Sequence, residues 1–262
     1  MDSLIFIVFV GATAGFTAGL LGLGGGLVMV PALAYVFDKQ FSGAPVMHMA
    51  VATSLAAIVP TAAASTWAHH RRGAVLWGDV TRLGPAIAVG VAAGVSIAGQ
   101  LTTPMLIRGF AIYALVVALQ VGFELRPVAR PGADMQPLPR VDPAGIAIGL
   151  LSAMIGIGGG TLTTPYLLWR RRPIRNTVAT SAACGLPIAA VGCAGYIIAG
   201  WNGSGLPPWS SGYVYWPALL ALIIATTATA PLGARYAHRL PEKALKRAFA
   251  ALLAVIGIKM LL

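Results

Sequence analysis

Charged residues are scarce in this chain of 262 residues. Asp, Glu, Lys and Arg together make up 10% of the sequence, against about 25% in a typical soluble domain. Apolar residues make up 58%, and the mean hydropathy is +0.82. This composition excludes a water-soluble domain and a disordered chain, because neither carries so many apolar residues. It indicates a membrane protein with several apolar helices.

Acidic residues are the rarest charged type, with seven Asp and Glu against 18 Lys and Arg. All of them fall at the ends of apolar segments or in loops, namely Asp2, Asp38, Asp79, Glu124, Asp134, Asp142 and Glu242. Cation and proton transporters usually carry a carboxylate at membrane depth. A cation substrate is therefore not expected, and proton coupling has no obvious carrier.

Patterns of catalytic and metal-binding residues are also missing. The two cysteines, Cys184 and Cys193, lie nine residues apart in one apolar segment, which is neither a metal-binding nor a redox spacing. No HExxH or GxSxG motif occurs, and no acid–base pair lies at membrane depth. We predict no cofactor, no metal site and no enzyme activity, although a membrane-embedded enzyme and a channel remain alternatives. The basic residues lie between apolar segments, which indicates membrane topology and not nucleic-acid binding.

The sequence contains two copies of one pattern. Leu21–Leu33 reads LGLGGGLVMVPAL, and Ile155–Leu167 reads IGIGGGTLTTPYL, 134 positions later. Val51–Pro60 reads VATSLAAIVP, and Val178–Pro187 reads VATSAACGLP, 127 positions later. Because the matches keep their order while the offset changes with loop length, they indicate a duplication.

A short linker joins the two copies. Residues 126–142 contain four prolines and most of the local charge. We therefore divide the chain into a first transmembrane repeat (1–125), a linker (126–142) and a second transmembrane repeat (143–262).

Glycines break the first apolar segment of each repeat, at Gly22–Gly26 and at Gly156–Gly160. In the second repeat the helical arms 143–155 and 162–169 would reach only about 20 Å and about 12 Å, while the hydrocarbon core is about 30 Å thick. These arms predict a re-entrant helical hairpin. In the first repeat the arm 4–21 is nearly long enough to span, so that hairpin is either re-entrant or fully spanning. Three further apolar segments in each repeat predict three transmembrane helices.

The basic residues test this all-helical arrangement. If both broken segments return to the side from which they came, 15 Lys and Arg lie on one side and 3 on the other. If each broken segment crosses once, the division is 7 to 11. The positive-inside rule favours the first arrangement, with the linker and the Arg-rich loops in the cytoplasm and both termini outside. Each repeat then crosses three times, an odd number, so we predict two inverted repeats.

Inverted repeats with broken helices are typical of secondary transporters, which bind their substrate near the middle of the membrane. The glycine turns would lie there, and the amides that begin the following helices are suited to an anion. The predicted substrate site at these turns contains Gly24, Gly25, Gly26, Gly158, Gly159 and Gly160. The alternative is that the glycines only allow tight helix packing.

Hydroxyl side chains lie near the same turns. They are Thr53, Ser54, Thr180 and Ser181 in the two VATS segments, and Thr161, Thr163 and Thr164 after the second turn. Hydroxyls can donate hydrogen bonds to anionic oxygens without the cost of a buried fixed charge, so we predict that they bind substrate. Each of them can instead bond to its own helix backbone or across helices.

His48 and Arg175 occupy equivalent places, three residues before each VATS segment. One interpretation makes them charges at the two mouths of an anion pathway, with His48 outside and Arg175 in the cytoplasm. The other makes Arg175 the last member of an ordinary basic run, RRRPIR, that sets topology.

With these motifs, the chain resembles the TauE/SafE family of sulfite and organosulfonate exporters. The residues that carry the resemblance are LLGLGGGLVMVPAL, MIGIGGGTLTTPYLL and the two VATS segments, and it extends over nearly the whole chain. The resemblance implies export of a small sulfur-containing anion such as sulfite or sulfoacetate, although some relatives are associated with uptake. The family motif often has glycine before the Thr-Ser pair, where this chain has Ala52 and Ala179.

The resemblance and the residues together predict a secondary transporter in the inner (plasma) membrane of a prokaryote that works by alternating access. The anion is expected between the two GxGGG turns and the two VATS segments, and an uptake permease or channel of the same fold is the alternative. The expected partners are the anion and the lipid bilayer, with no nucleic acid and with self-association left open. The motifs do not identify the anion, the direction of transport or the coupling ion.

Overall fold

The structure is a computed structural model, and it describes residues 2–21, 25–123, 136–237 and 242–262. These residues are mostly helical, as the composition predicts. The helices are α1 (Asp2–Leu21), α2 (Gly26–Gln40), α3 (Val46–Arg71), α4 (Trp77–Ala98), α5 (Thr103–Gly122), α6 (Ala144–Ile155), α7 (Thr163–Trp169), α8 (Ile174–Ala199), α9 (Trp216–Ala237) and α10 (Glu242–Leu261). Two short strands, β1 (Ser210–Ser211) and β2 (Val214–Tyr215), pair antiparallel between α8 and α9.

Four of these helices, α3, α4, α5 and α8, are long and apolar enough to cross a membrane. Shorter apolar stretches occur in α1, α6 and α9. Several helices begin earlier than the apolar segments of the sequence. For example, α4 begins at Trp77, and its first two turns are helical although they carry the polar residues Asp79 and Arg82.

Both glycine breaks lie where the sequence predicts them. α1 ends at Leu21 and α2 begins at Gly26, while α6 ends at Ile155 and α7 begins at Thr163. α6 ends because Gly156 has a φ of +79°, a left-handed conformation that favours glycine. With 12 and 7 residues, α6 and α7 are about 18 Å and about 10 Å long. Neither arm is therefore long enough to cross a bilayer.

The broken segment of each repeat folds back on itself. Asp142, just before α6, accepts hydrogen bonds from Tyr166 in α7 and from Arg170 just after it, the latter with Nη2 and Oδ2 3.4 Å apart. In the first repeat the ring of Phe6 in α1 lies 6.1 Å from the ring of Tyr35 in α2. Both α1–α2 and α6–α7 are therefore helical hairpins whose outer ends lie together.

Helices of one repeat pack against helices of the other. The first helix of each repeat lies on the fourth helix of the other, so that α1 packs along α9 and α6 packs along α4. The third helices, α3 and α8, pack together, and so do the fifth helices, α5 and α10. Equivalent helices thus make equivalent contacts.

Glycines allow the closest of these contacts. A methyl group built on Gly90 of α4 would lie 2.1 Å from the carbonyl oxygen of Ile146 in α6. One built on Gly149 of α6 would lie 2.2 Å from the carbonyl oxygen of Ile87 in α4. One built on Gly15 of α1 would lie 2.6 Å from a backbone carbon of α9. Such close backbone approach is typical of helix pairs in membranes.

The loops gather at two ends of the helix bundle. At one end the Arg175 side chain donates to the carbonyl of Arg72 at 3.1 Å, and Asn176 donates to that of Ala74 at 2.9 Å. We call this the arginine end, and its segments are residues 71–76, 136–142 and 170–176. At the opposite end, Nε2 of His48 donates to the carbonyl of Ala98 at 2.9 Å. We call this the strand end, and its segments are residues 41–45, 99–102 and 200–215.

The strand hairpin lies in the connection between α8 and α9. Gly212 has a φ of +54°, and a methyl group built on it would lie 2.2 Å from the carbonyl oxygen of Ile197. Because only glycine fits that space, the hairpin can pack directly on the end of α8.

All six tryptophans are exposed, with exposed fractions between 44% and 80%. Trp67, Trp77 and Trp169 lie beside the segments of the arginine end. Trp201, Trp209 and Trp216 lie in or beside those of the strand end. Because tryptophan concentrates at membrane–water interfaces, this distribution is typical of a helix bundle that spans a bilayer.

Candidate functional site

The second glycine turn, residues 156–162, inserts between α3 and α8. A methyl group built on Gly159 would lie 2.6 Å from the carbonyl oxygen of Ser181 and 3.0 Å from the amide nitrogen of Gly185. One built on Gly158 would lie 3.4 Å from Cγ2 of Ile58. The turn therefore contacts both helices that carry a VATS segment, as the predicted site requires.

The two glycine turns also touch each other. A methyl group built on Gly26 would lie 2.5 Å from the carbonyl oxygen of Gly156 and 3.0 Å from Cα of Ile157. Gly25 is buried and Gly160 is half-buried. Gly24, which the sequence also places in the site, lies outside the described residues.

The two serines of the VATS segments hold the second hairpin in place. Ser54 Oγ donates to the carbonyl of Gly156 at 2.9 Å, and both groups are buried. Ser181 accepts a hydrogen bond from Thr164 of α7 at 3.0 Å and donates to the carbonyl of Val178 in its own helix. The first repeat thus contacts the turn through Ser54, and α8 contacts the α7 arm through Ser181.

The two threonines of the VATS segments make equivalent hydrogen bonds. Thr53 Oγ1 accepts from the backbone N–H of Tyr215 at 3.2 Å, and Thr180 Oγ1 accepts from that of Leu76 at 3.0 Å. Tyr215 and Leu76 immediately precede α9 and α4. Each hydroxyl therefore fixes the start of a helix, and it keeps its own proton as a donor.

Two buried hydroxyls at the second turn have no partner in the part of the chain that the structure describes. Thr161 is 3% exposed and Thr163 is 0% exposed, and neither oxygen has a hydrogen-bond partner there. Ser152, which the sequence analysis missed, is 0% exposed in α6 and equally unpartnered. The sequence signal that could have identified Ser152 is its position one helical turn before Gly156. Leaving such a group unsatisfied costs about 1–3 kcal/mol, and these hydroxyls are available to a ligand at the turn.

The same turn offers backbone donors. Among the described residues, the backbone amides of residues 158–162 have no hydrogen-bond acceptor. The next amide in the chain, that of Thr163, donates to the carbonyl of Gly159 at 2.9 Å. Hydroxyls and free amides at one buried turn can together donate several hydrogen bonds to an oxyanion.

Buried carboxylates lie at the arginine end, away from the turns. Asp79 is 6% exposed and forms a bidentate ion pair with Arg172, with distances of 2.5 Å from Nε to Oδ2 and 2.9 Å from Nη2 to Oδ1. Arg172 also donates to the carbonyl of Gln136 at 2.9 Å. From the sequence, Asp79 is expected at the end of an apolar segment and Arg172 is expected to be a topology charge. No spacing signal joins two residues that are 93 positions apart.

A second charged group closes the α6–α7 hairpin at the same end. Asp142 is 2% exposed and accepts from Tyr166, from Arg170 and from the amide of Ala144. The hydrogen bond from Nε of Arg170 to the Tyr166 hydroxyl, 3.0 Å long, raises the pKa of that guanidinium above its usual value. The Arg170 guanidinium therefore keeps its charge at all physiological pH values.

The two predicted mouth charges have different surroundings. Arg175 is exposed at the arginine end, where it donates to the carbonyl of Arg72. His48 is only 5% exposed, and its Nδ1 has no partner among the residues that the structure describes. The histidine is thus an enclosed group and not a charge on the open surface. Within the described ranges, no cluster of three or more His, Cys, Asp or Glu is placed to hold a metal ion.

Comparison with known proteins gives matches over almost the entire chain. The model of the family described as sulfite exporter TauE/SafE matches residues 7–260. A probable membrane transporter protein of Haemophilus influenzae is 35% identical over 99% of this chain and 98% of its own length. Another from Methanocaldococcus jannaschii is 25% identical over 99% of this chain and 96% of its own. No solved structure matches the chain.

Proposed function

Since the chain belongs to the sulfite exporter TauE/SafE family, we propose that it exports a small sulfur-containing anion, such as sulfite or an organosulfonate. The family match confirms the resemblance carried by the sequence motifs. Together with the names of the relatives, it identifies a membrane transporter and not an enzyme, as predicted.

The unpartnered hydroxyls of Thr161 and Thr163 carry the proposal about the site. They lie beside the free amides of residues 158–162, at a turn that contacts both VATS helices. An oxyanion bound there would accept hydrogen bonds from these donors. Among the described residues, the buried carboxylates are paired with arginines at the arginine end, so they do not oppose an anion at the turn.

The VATS residues have supporting roles in this proposal. Ser54 and Ser181 position the hairpin, while Thr53 and Thr180 fix the starts of α9 and α4. Both threonine hydroxyls already accept a hydrogen bond from a backbone amide. Each can still donate one hydrogen bond to the anion through its O–H group. Gly26, in contact with Gly156, brings the first turn to the same place.

The proposed topology is two inverted repeats, each with a re-entrant hairpin and three crossings. Three observations support it: the return of both hairpins to their starting ends, the equivalent packing of α1 on α9 and of α6 on α4, and the two groups of tryptophans. By the positive-inside rule, the arginine end faces the cytoplasm and the strand end faces outside.

Alternating access requires a closure on each side of the site, and both ends offer one. The Asp79–Arg172 ion pair joins the two repeats at the arginine end. At the strand end the rings of Phe37, Phe41 and Tyr215 pack with centroids 5.3–5.9 Å apart. Rocking of one repeat against the other would open these closures in turn.

Transport by the purified full-length protein in liposomes tests the site. We expect T163V and T161V to reduce sulfite flux about tenfold or more, because a hydrogen bond to a charged group is worth about 1.5–3 kcal/mol. The matched control is T66V, since Thr66 is 5% exposed with an unpartnered hydroxyl in α3 at the arginine end. Equal flux in T163V, T161V and T66V would overturn the site.

The same liposomes test the direction and the anion. Protein inserted in one orientation, selected by protease cleavage of the copies whose arginine end faces the outside of the liposome, should move sulfite or sulfoacetate from the cytoplasmic to the outer side. Net movement only towards the cytoplasmic side would identify an uptake permease. Flux of all small anions at channel rates would contradict a carrier.

A further inference from the structure

The strand end contains a pocket that the glycine-turn site does not use. Its volume is about 550 Å³. It is lined by residues 43–45, 101–103 and 202–204, together with His48 and Tyr213. These lining residues include no Asp, Glu, Lys or Arg, so the pocket has no fixed charge of its own.

His48 is the buried polar group in the wall of this pocket. It is 5% exposed, its Nε2 donates to the carbonyl of Ala98, and its Nδ1 is buried without a partner within the described part of the chain. Since Nε2 carries the proton that Ala98 accepts, Nδ1 is an acceptor in the neutral ring and a donor in the charged ring. Because His48 is one of the residues that line the pocket, a molecule bound there can supply a partner for this ring.

The start of α5 supplies further donors to the same pocket. Its N-cap residue, Thr102, forms no capping hydrogen bond through its side chain. The amides of Thr103 and Met105 find no acceptor in the described ranges, and Pro104 between them has no amide hydrogen. Because α5 runs for 20 residues, its N-terminus carries a partial positive charge that favours an anion.

We propose that the pocket is a second anion site, which binds a tetrahedral oxyanion of the sulfate or sulfonate class between protonated His48, the first amides of α5 and the hydroxyl of Ser204. His48 precedes Thr53 on α3 by five residues, a rise of about 7.5 Å, so the pocket lies on the outer side of the glycine turns. It is the outer docking site of the transported anion. This inference rests on the proposed function for the class of anion.

Among the described residues, no charged side chain lines the pocket, so the charge of the pocket depends on the protonation state of His48. The groups that face it are the backbone carbonyls of Ala98 and Leu101, the ring of Tyr213 with its centroid 5.2 Å away, and the uncharged lining loops. Histidine is the side chain that ordinarily changes charge between pH 5 and pH 8. Binding of an anion here should therefore be accompanied by uptake of a proton.

Calorimetric titration of the full-length protein in nanodiscs tests the pocket. Sulfate is the probe, because it carries no titrating proton near neutral pH. We expect the wild type to bind sulfate about tenfold more tightly at pH 6 than at pH 8, the effect of one charge-assisted hydrogen bond. H48Q should lose this pH dependence. The matched control H69Q, at the arginine end of the same helix, should keep it.

A pair of charge changes at the exposed Ser204 tests the location independently of His48. S204K should tighten sulfate binding and S204E should weaken it, each about threefold to tenfold for a partly exposed charge pair. Two results would overturn the pocket: pH-dependent binding that persists in H48Q, or affinities in S204K and S204E equal to that of the wild type.

T163V separates this inference from the proposed transport site. If T163V transports poorly but keeps the pH-dependent sulfate binding, both proposals stand. If T163V transports normally while H48Q loses binding, the glycine-turn site fails and the pocket stands. If T163V loses all binding while H48Q loses none, the pocket fails and the turn site stands.

Discussion

Asp79 and Arg172 form a bidentate ion pair that joins the two halves of the transporter. Asp79 lies in the first turn of α4 in the first repeat, and Arg172 lies between α7 and α8 in the second. Both side chains are nearly inaccessible to solvent. Because the pair links α4 to the outer end of the α6–α7 hairpin, any opening at the arginine end must break it or carry both partners together.

Removal of one partner of this pair should destabilise the protein strongly. D79N leaves the Arg172 guanidinium buried without its counter-charge, which costs about 3–5 kcal/mol for a buried pair. Thermal unfolding in detergent should show a clear decrease in Tm. R171Q, which changes the neighbouring exposed arginine, is the control and should leave Tm unchanged. A Tm for D79N equal to that of R171Q would show that the pair contributes nothing.

A side chain at Gly159 should abolish transport. In G159V the new Cβ would lie 2.6 Å from the carbonyl oxygen of Ser181, so the turn must move away from α8. Sulfite flux should fall to the level of empty liposomes while membrane insertion continues. G109V is the control, because a Cβ there meets nothing within 4 Å. Normal flux through inserted G159V protein would contradict a site at this turn.

The hydrogen bond from Ser54 to Gly156 should position the second turn. S54A leaves the buried Gly156 carbonyl without this donor, at a cost of about 1–3 kcal/mol. We expect a lower Tm together with a higher KM for sulfite. S96A removes the hydroxyl of an exposed serine in α4 and should have neither effect. An unchanged KM in S54A would limit this serine to a stabilising role.

Thr53 and Thr180 should be equivalent in stability measurements. T53V leaves the amide of Tyr215 without its acceptor, and T180V does the same to the amide of Leu76. Each substitution should cost about 1–3 kcal/mol of stability, and the double variant should show the sum because the two bonds lie in separate places. If only one of T53V and T180V lowers the stability, the two threonines do not make equivalent contributions in the two repeats.

The glycine motifs allowed the helix breaks to be predicted. The breaks after Leu21 and after Ile155 follow from runs of glycine inside apolar segments, and the structure has them there. The start of α4 was harder to predict from the sequence. Its polar first turns are stabilised by Arg172 and by residues 136–142, which are distant in sequence. Local hydropathy contains no information about such partners.

The candidate site could be predicted in part. Residue type and repetition pointed to the VATS hydroxyls, but only the structure shows that Thr53 and Thr180 accept hydrogen bonds from backbone amides. Thr161 and Thr163 are distinguished by a buried, unpartnered hydroxyl beside the free amides of the turn, and no sequence pattern shows that combination. For the same reason, the sequence did not predict that Nδ1 of His48 is buried without a partner among the described residues.

The position of the bound anion is the most direct test of the account. Crystals of the full-length protein soaked with selenate, a heavier analogue of sulfate, would locate the anion by the anomalous signal of selenium. The account predicts a peak within hydrogen-bond distance of the Thr161 and Thr163 hydroxyls, at the turn between α3 and α8. Peaks confined to the surface, with the space beside this turn empty at saturating selenate, would contradict it.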